Sequence, residues 1–90
     1  MTKEKELAEL LKVLSVDTRL KILRTLRTRS LCVNALASIL NISQSAVSQH
    51  LRILKSVGLV NDQRHGYFIH YSVNEKKLQF IRKKFDAVFD

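Results

Sequence analysis

Proline and tryptophan are absent from this 90-residue sequence, cysteine occurs once and glycine only twice. A lone thiol, Cys32, excludes an internal disulfide and any Cys-x-x-Cys metal knuckle. No apolar run approaches the roughly 20 residues that a membrane-spanning helix needs. The opening Met1-Thr2-Lys3-Glu4-Lys5-Glu6 lacks the apolar core of a signal peptide. The expected compartment is therefore the cytoplasm, with no membrane partner. Acid is scarce as well: 8 Asp and Glu stand against 16 Lys and Arg, a formal net charge of +8. That balance favours polyanions, nucleic acid before anionic membrane. The shortage is local. Residues 18–29 hold Arg19, Lys21, Arg24, Arg27 and Arg29 with no acid, whereas residues 1–17 are slightly acidic. No nucleophile–base pairing, phosphate loop or facing acids can be drawn from the sequence, so an enzyme is not expected, nor a catalytic residue, nor a cofactor.

What is present reads as one domain over residues 1–90, with 46% apolar residues and no linker or repeat. Residues 3–14 carry Leu7, Leu10, Leu11 and Leu14 at helical spacing. After Ser15-Val16, Asp17 can cap a second helix from Thr18 to about Arg27, its apolar side formed by Leu20, Leu23 and Leu26 with Ile22. A short third helix spans about Cys32 to Leu40, with Leu36, Ile39 and Leu40 inward, and Asn41-Ile42-Ser43 turns into a fourth.

That fourth stretch organises the rest. At about 100° per residue, Gln44, Ser45, Ser48, Gln49, Arg52, Lys55 and Ser56 fall on one half of a helical wheel. Ala46, Val47, His50, Leu51, Ile53, Leu54 and Val57 fall on the other. Ser43 stands at the N-cap position, and Gly58 where a left-handed residue ends a helix. A helix that only faces water is usually rich in Glu and Lys. This face carries short or bidentate hydrogen-bonding groups suited to base edges and phosphates. Two short helices joined by a tight turn, the second with such a face, make a helix-turn-helix.

Beyond Gly58 the period changes. Leu59–Gln63 and Tyr67–Val73 read as strands, with Arg64-His65-Gly66 as the hairpin tip. Residues 75–89 return to helix, with Leu78, Ile81, Phe85, Val88 and Phe89 in one stripe. The expected fold is mainly α with a small β-hairpin, in the order α1-α2-α3-α4-β1-β2-α5. The terminal stripes are much apolar surface for so small a domain. Burying Leu7, Leu10, Leu11 and Leu14 with Leu78, Ile81, Phe85, Val88 and Phe89 across a two-fold axis is the economical solution, so a homodimer is expected.

Four ordered segments carry a resemblance: Leu14–Leu23, Leu31–Ala37, Ser43–Leu51 and Leu54–Val60. Together they are similar to the ArsR/SmtB family of winged helix-turn-helix regulators, over about residue 7 to Val73. One departure is the missing proline between Asp17 and Thr18. The resemblance implies a homodimeric repressor of transcription, paired through its first and last helices, with the fourth helix in the major groove of double-stranded DNA and the wing on neighbouring phosphates or minor groove. Two-fold pairing would set the recognition helices about 34–36 Å apart and require an inverted-repeat operator.

The expected DNA-binding residues are Ser43, Gln44, Ser45, Ser48, Gln49 and Arg52, with Arg64 and His65 at the wing. Gln suits adenine, Arg guanine, and Ser either base or phosphate. His50 is expected to be a buried structural histidine with a hydrogen-bonded ring. His65 and His70 are expected on opposite faces of the hairpin. The metal sites that the resemblance would bring fail on their donors. The third-helix site needs Cys-x-Cys, and this chain has Cys32-Val33-Asn34; the last-helix site needs histidine, and residues 75–89 have none. No metal is expected. The rival readings are a metal- or thiol-responsive repressor with atypical ligands that include Cys32, and a winged-helix interaction module without DNA binding.

Overall fold

The computed structural model describes residues 1–90. The elements follow in the expected order: α1 (Lys3–Leu14), α2 (Asp17–Leu26), α3 (Val33–Leu40), α4 (Gln44–Ser56), β1 (Val60–His65), β2 (Phe68–Val73) and α5 (Glu75–Phe89). The architecture is a winged helix-turn-helix. Its core joins Ile22, Leu23 and Leu26 of α2 to Leu36 and Ala37 of α3, to Val47, Leu51 and Leu54 of α4, and to Leu59, Val60 and Ile81. No helix is long and apolar enough to cross a membrane.

Helix α1 is capped by Thr2, whose hydroxyl accepts from the Lys5 amide at 3.1 Å. It packs along α5, and the Lys84 ammonium meets the Glu6 carboxylate between them. That ion pair holds the Glu6 carboxyl below the ordinary carboxylate range: the hydrogen bond from Lys84 acts most strongly, and its charge adds to it. Leu7 and Ile81 are buried within the protomer, so they close its own core. Of the two terminal stripes, Leu11, Phe85 and Phe89 remain exposed, Phe89 at 73%.

Helix α2 begins at Asp17 rather than after it. Val16 occupies the N-cap with no side-chain bond, and Asp17 lies exposed in the first turn. Its inward side is Ile22, Leu23 and Leu26, while Leu20 faces out at 51% exposure. A repeat of three residues falls about 60° short of a full turn at each step, so Leu20, Leu23 and Leu26 cannot share one face. The same drift turns Ile39 of α3 outward, where Ala37 fills the core instead. Helix α3 starts at Val33; Cys32 is its half-buried N-cap residue.

Both helices of the helix-turn-helix close at their C-termini in the same way. Asn41 adopts the left-handed conformation, φ 55° and ψ 48°. The Ile42 amide donates to Ala37 O at 3.1 Å and the Asn41 amide to Ser38 O at 3.4 Å. At the far end Gly58 has φ +77°. The Leu59 amide donates to Leu54 O and the Gly58 amide to Lys55 O, each at 2.9 Å. These are Schellman turns, which satisfy the carbonyls left over at a helix C-terminus. Leu59 and Leu54, the apolar pair of the second turn, are fully buried.

The hairpin differs from expectation at its tip. β1 and β2 pair antiparallel from Val60↔Val73 to His65↔Phe68, so the loop is Gly66-Tyr67 and Arg64 and His65 belong to the strand. Only Gly66 has positive φ (63°) in that loop, the sign pattern of a type II′ turn, whose twist matches the strands. This register also puts His65 and His70 on one face, ring centroids 4.7 Å apart. A two-residue loop pairs positions whose numbers sum to an odd total, so residues an odd number apart on opposite strands share a face. β2 is tied to the body at Leu31, whose amide and carbonyl both bond to Tyr71 at 3.0 and 2.8 Å.

Candidate nucleic-acid interface

Helix α4 is fixed from below by apolar contacts and from its ends by backbone bonds, which leaves its polar face free. Val47, Leu51 and Leu54 are buried to 1% exposure or less. Ser43 caps the helix, its hydroxyl accepting from the Ala46 amide at 3.1 Å and lying 3.2 Å from the Ser45 hydroxyl. Gln44, Ser45, Ser48, Gln49 and Arg52 are all exposed. Among them, Gln44, Ser48, Gln49 and Arg52 make none of the chain's side-chain hydrogen bonds or ion pairs. Their donors and acceptors are saturated only by solvent, so an external partner can take them without disrupting the fold.

The registration of α4 rests on two cross-element links. His50, half-buried rather than buried, accepts at Nδ1 from Arg19 Nε at 3.3 Å. The same guanidinium donates from Nη1 to Val13 O at 3.1 Å, one of the carbonyls that α1 leaves unpaired at its C-terminus. Arg19 thus joins α1, α2 and the middle of α4. At the other end Lys55 meets Asp62 of β1 at 2.7 Å. The hydrogen bond that Lys55 donates to the Asp62 carboxylate, with that carboxylate's charge second, pushes the Lys55 ammonium above its ordinary range. This pair ties the end of α4 to the start of the wing.

The cations of α2 and of the turn after it divide into two groups. Arg19 is engaged internally, Arg27 Nε meets Glu75 at 2.7 Å, and Lys21 stands 4.0 Å from Asp17. Arg24 and Arg29 are exposed and outside every ion pair. Arg64 and His65 are exposed on β1. Beside them lies a feature that the sequence reading missed: Tyr67, at the hairpin apex, is 100% exposed and Phe68 56%. The signal was legible in principle, since glycine in the first position of a two-residue turn pushes the following residue to the tip.

The family-type metal sites do not fit the residues present. Cys32 is the sole thiol, Asn34 stands where a second would be needed, α5 has no imidazole, and nowhere do three His, Cys, Asp or Glu side chains converge. Soft cations need several thiolates.

Comparison with known proteins gives a consistent likeness. Residues 17–62 match the model described as bacterial regulatory protein, arsR family. The chain is 41% identical over 68 residues to the transcriptional repressor SdpR of Bacillus subtilis, which is 76% of each chain. Among solved structures it is similar to a possible transcriptional regulator for arsenical resistance, at TM-score 0.80 and 35% identity, covering 89% of this chain and 83% of that one. It is also similar to the homodimeric winged helix-turn-helix DNA-binding domain of a possible ArsR-family regulator from Mycobacterium bovis, at TM-score 0.76 and 27% identity, covering 93% and 79%.

Proposed function

This chain belongs to the arsR family of bacterial regulatory proteins, and from that premise we propose that it is a homodimeric repressor that holds an inverted-repeat operator in double-stranded DNA. The family's members are regulators of transcription, not enzymes. The observation that carries the reading is the face of α4, where Gln44, Ser48, Gln49 and Arg52 are exposed and unpartnered within the fold. In the proposed complex these side chains read base edges in the major groove, and the Ser43 and Ser45 hydroxyls, already linked to each other, meet the backbone. Arg64 and His65 add phosphate contacts from the wing, and the net charge of +8 supplies salt-dependent affinity. Pairing uses the part of the terminal stripes that the protomer leaves open, centred on Leu11, Phe85 and Phe89, with Leu10, Leu14, Leu78 and Val88 half-buried around them.

The test is selection of bound duplexes from a random pool, followed by measurement of the winner against mismatched duplexes at fixed salt. Wild-type protein is expected to select a palindromic sequence. Gln49→Ala and Arg52→Ala should each reduce discrimination at one base pair of each half-site, by about 1–3 kcal/mol. Unchanged specificity ratios in both variants would refute the assignment of α4 as the reading element.

A further inference from the structure

The wing ends in an apolar point. Tyr67 is wholly exposed, Phe68 56% and Ile69 38%, three consecutive large side chains held away from the core at the end of a β-hairpin. Single exposed apolar residues are ordinary, but here an aromatic ring stands fully exposed at the apex with one apolar side chain behind it on each face. The register gives the point two basic sides. Arg64 is the cross-strand neighbour of Ile69, and His65 of Phe68, so these pairs share opposite faces of the ribbon. Each face therefore carries an apolar side chain beside a basic one, with Tyr67 at the apex between them. Residues 63–74 contain no acid. The acids that bracket the segment, Asp62 and Glu75, are each engaged by a cation, Lys55 and Arg27.

We propose that this tip is a minor-groove wedge: Tyr67 enters the minor groove of duplex DNA beside the half-site read by α4 and partly unstacks one base step, while Arg64 and His65 meet the phosphates of the two flanking strands. The proposal rests on the reading of α4 as a DNA-binding helix. Three observations select duplex DNA as the occupant. The tip carries the Arg64 guanidinium on one face and the His65 imidazole, a hydrogen-bond donor, on the other, and is free of acid, which suits two walls of phosphate. The hairpin that carries it begins four residues after α4 ends and is pinned to that helix by Lys55–Asp62, so it continues the proposed interface. The two-residue turn at Gly66-Tyr67 is short and twisted with its strands, so the wedge is rigid when it meets DNA. A minor groove of about 6 Å must widen to admit a side chain between bases, and that deformation is easiest at pyrimidine–purine steps. Tyr67 therefore makes the protein choose flanking sequence by deformability at positions that α4 does not touch.

The experiment uses full-length protein and the duplex selected by wild type, with the flanking step either TA or embedded in an A-tract, and 2-aminopurine at that step. Wild type is expected to favour the TA duplex by roughly tenfold, and the probe to brighten on binding. Tyr67→Ala should abolish both the preference and the brightening without changing the salt slope; Tyr67→Phe should retain them. Arg64→Ala should keep the preference and lower the salt slope by about one ion. If Tyr67→Ala matches wild type in affinity, flank preference and probe signal, the wedge is wrong, and the α4 reading stands as long as wild type still selects a sequence. If wild type selects no sequence at all, the α4 reading fails and the wedge with it.

Discussion

Arg19 is the side chain whose loss the fold should tolerate least among its charged residues. It lies in the first turn of α2, N-terminal to the inward stripe of Ile22, Leu23 and Leu26, half-buried, with one nitrogen on His50 of α4 and another on the Val13 carbonyl at the end of α1. The second contact satisfies a helix C-terminal carbonyl with a full positive charge, which the helix dipole also favours. Hydrogen bonds from charged donors contribute about 1.5–3 kcal/mol each when lost from a sheltered site. The two share one guanidinium and both partners stay within reach of water, so Arg19→Ala should destabilise by about 2–3 kcal/mol rather than by the sum. For a domain of this size that is a fall in Tm of roughly 10–20 °C. Arg19→Lys should recover only part of it, because one ammonium cannot reproduce the fork. The assay is urea unfolding followed by circular dichroism, all variants at one protein concentration, since dimerisation couples to stability. The midpoint should fall with the slope unchanged. An Arg19→Ala midpoint within about 0.5 kcal/mol of wild type would show that the link between α1, α2 and α4 contributes nothing, and that apolar packing alone registers the recognition helix.

Gly58→Ala should destabilise by about 1–2 kcal/mol, because φ +77° is a left-handed conformation that a Cβ disfavours; unfolding midpoints decide it, and the nearest side-chain atom, Lys77 Cδ at 3.9 Å, leaves room, so the penalty is conformational rather than steric. Glu6, held by Lys84 below its ordinary 4.5, contributes stability that is present above that value and disappears as pH falls through its folded value. Glu6→Gln should therefore flatten the acid limb of the stability–pH curve, and an unaltered limb would refute the link. Lys55, raised above 10.5 by Asp62, behaves in the opposite sense: its contribution is present below 10.5 and is lost as pH climbs through the folded value, which Lys55→Met should abolish. Phe85→Asp should convert dimer to monomer in sedimentation while leaving the protomer's circular dichroism intact, since Phe85 is 47% exposed; a dimer that survives would place the pairing surface elsewhere.

The helices and their order were legible because α1, α4 and α5 each have an apolar stripe of sufficient length, and because Ser43 and Gly58 mark both ends of α4. The polar face of α4 was legible too, since its composition departs from that of a solvated helix. The errors share a physical origin. Leu20 and Ile39 each stand three residues from a core leucine, Leu23 and Leu36, and an α-helix turns such a position about 60° off the stripe. Arg64 and His65 are expected in the turn because they separate two strand-like runs and precede Gly66, yet the outer strand of a wing tolerates polar side chains, and only the glycine has to sit in the loop. Moving the tip by that amount changed the pairing register, which reversed the relative faces of His65 and His70. The pairs Arg19–His50, Lys55–Asp62, Arg27–Glu75 and Glu6–Lys84 join residues from different elements, and no local pattern in the chain encodes which cation finds which partner.

The way α4 is held limits how binding by this protein could be controlled. A left-handed asparagine and a serine cap fix its start, a left-handed glycine its end, His50 its middle, and Lys55–Asp62 its relation to the wing. None of these restraints uses Gln44, Ser48, Gln49 or Arg52, so the face proposed to read DNA can neither loosen nor rotate within the protomer unless buried contacts break. Under the homodimer proposal, what remains adjustable is the placement of one protomer's α4 relative to its partner's. That placement is set by α1 and α5, where the exposed stripe and the half-buried Glu6–Lys84 pair are found. A two-fold reader accepts one half-site spacing, so a small change in how the terminal helices pack would shift both reading helices out of register with the operator at once, without altering either protomer's reading surface.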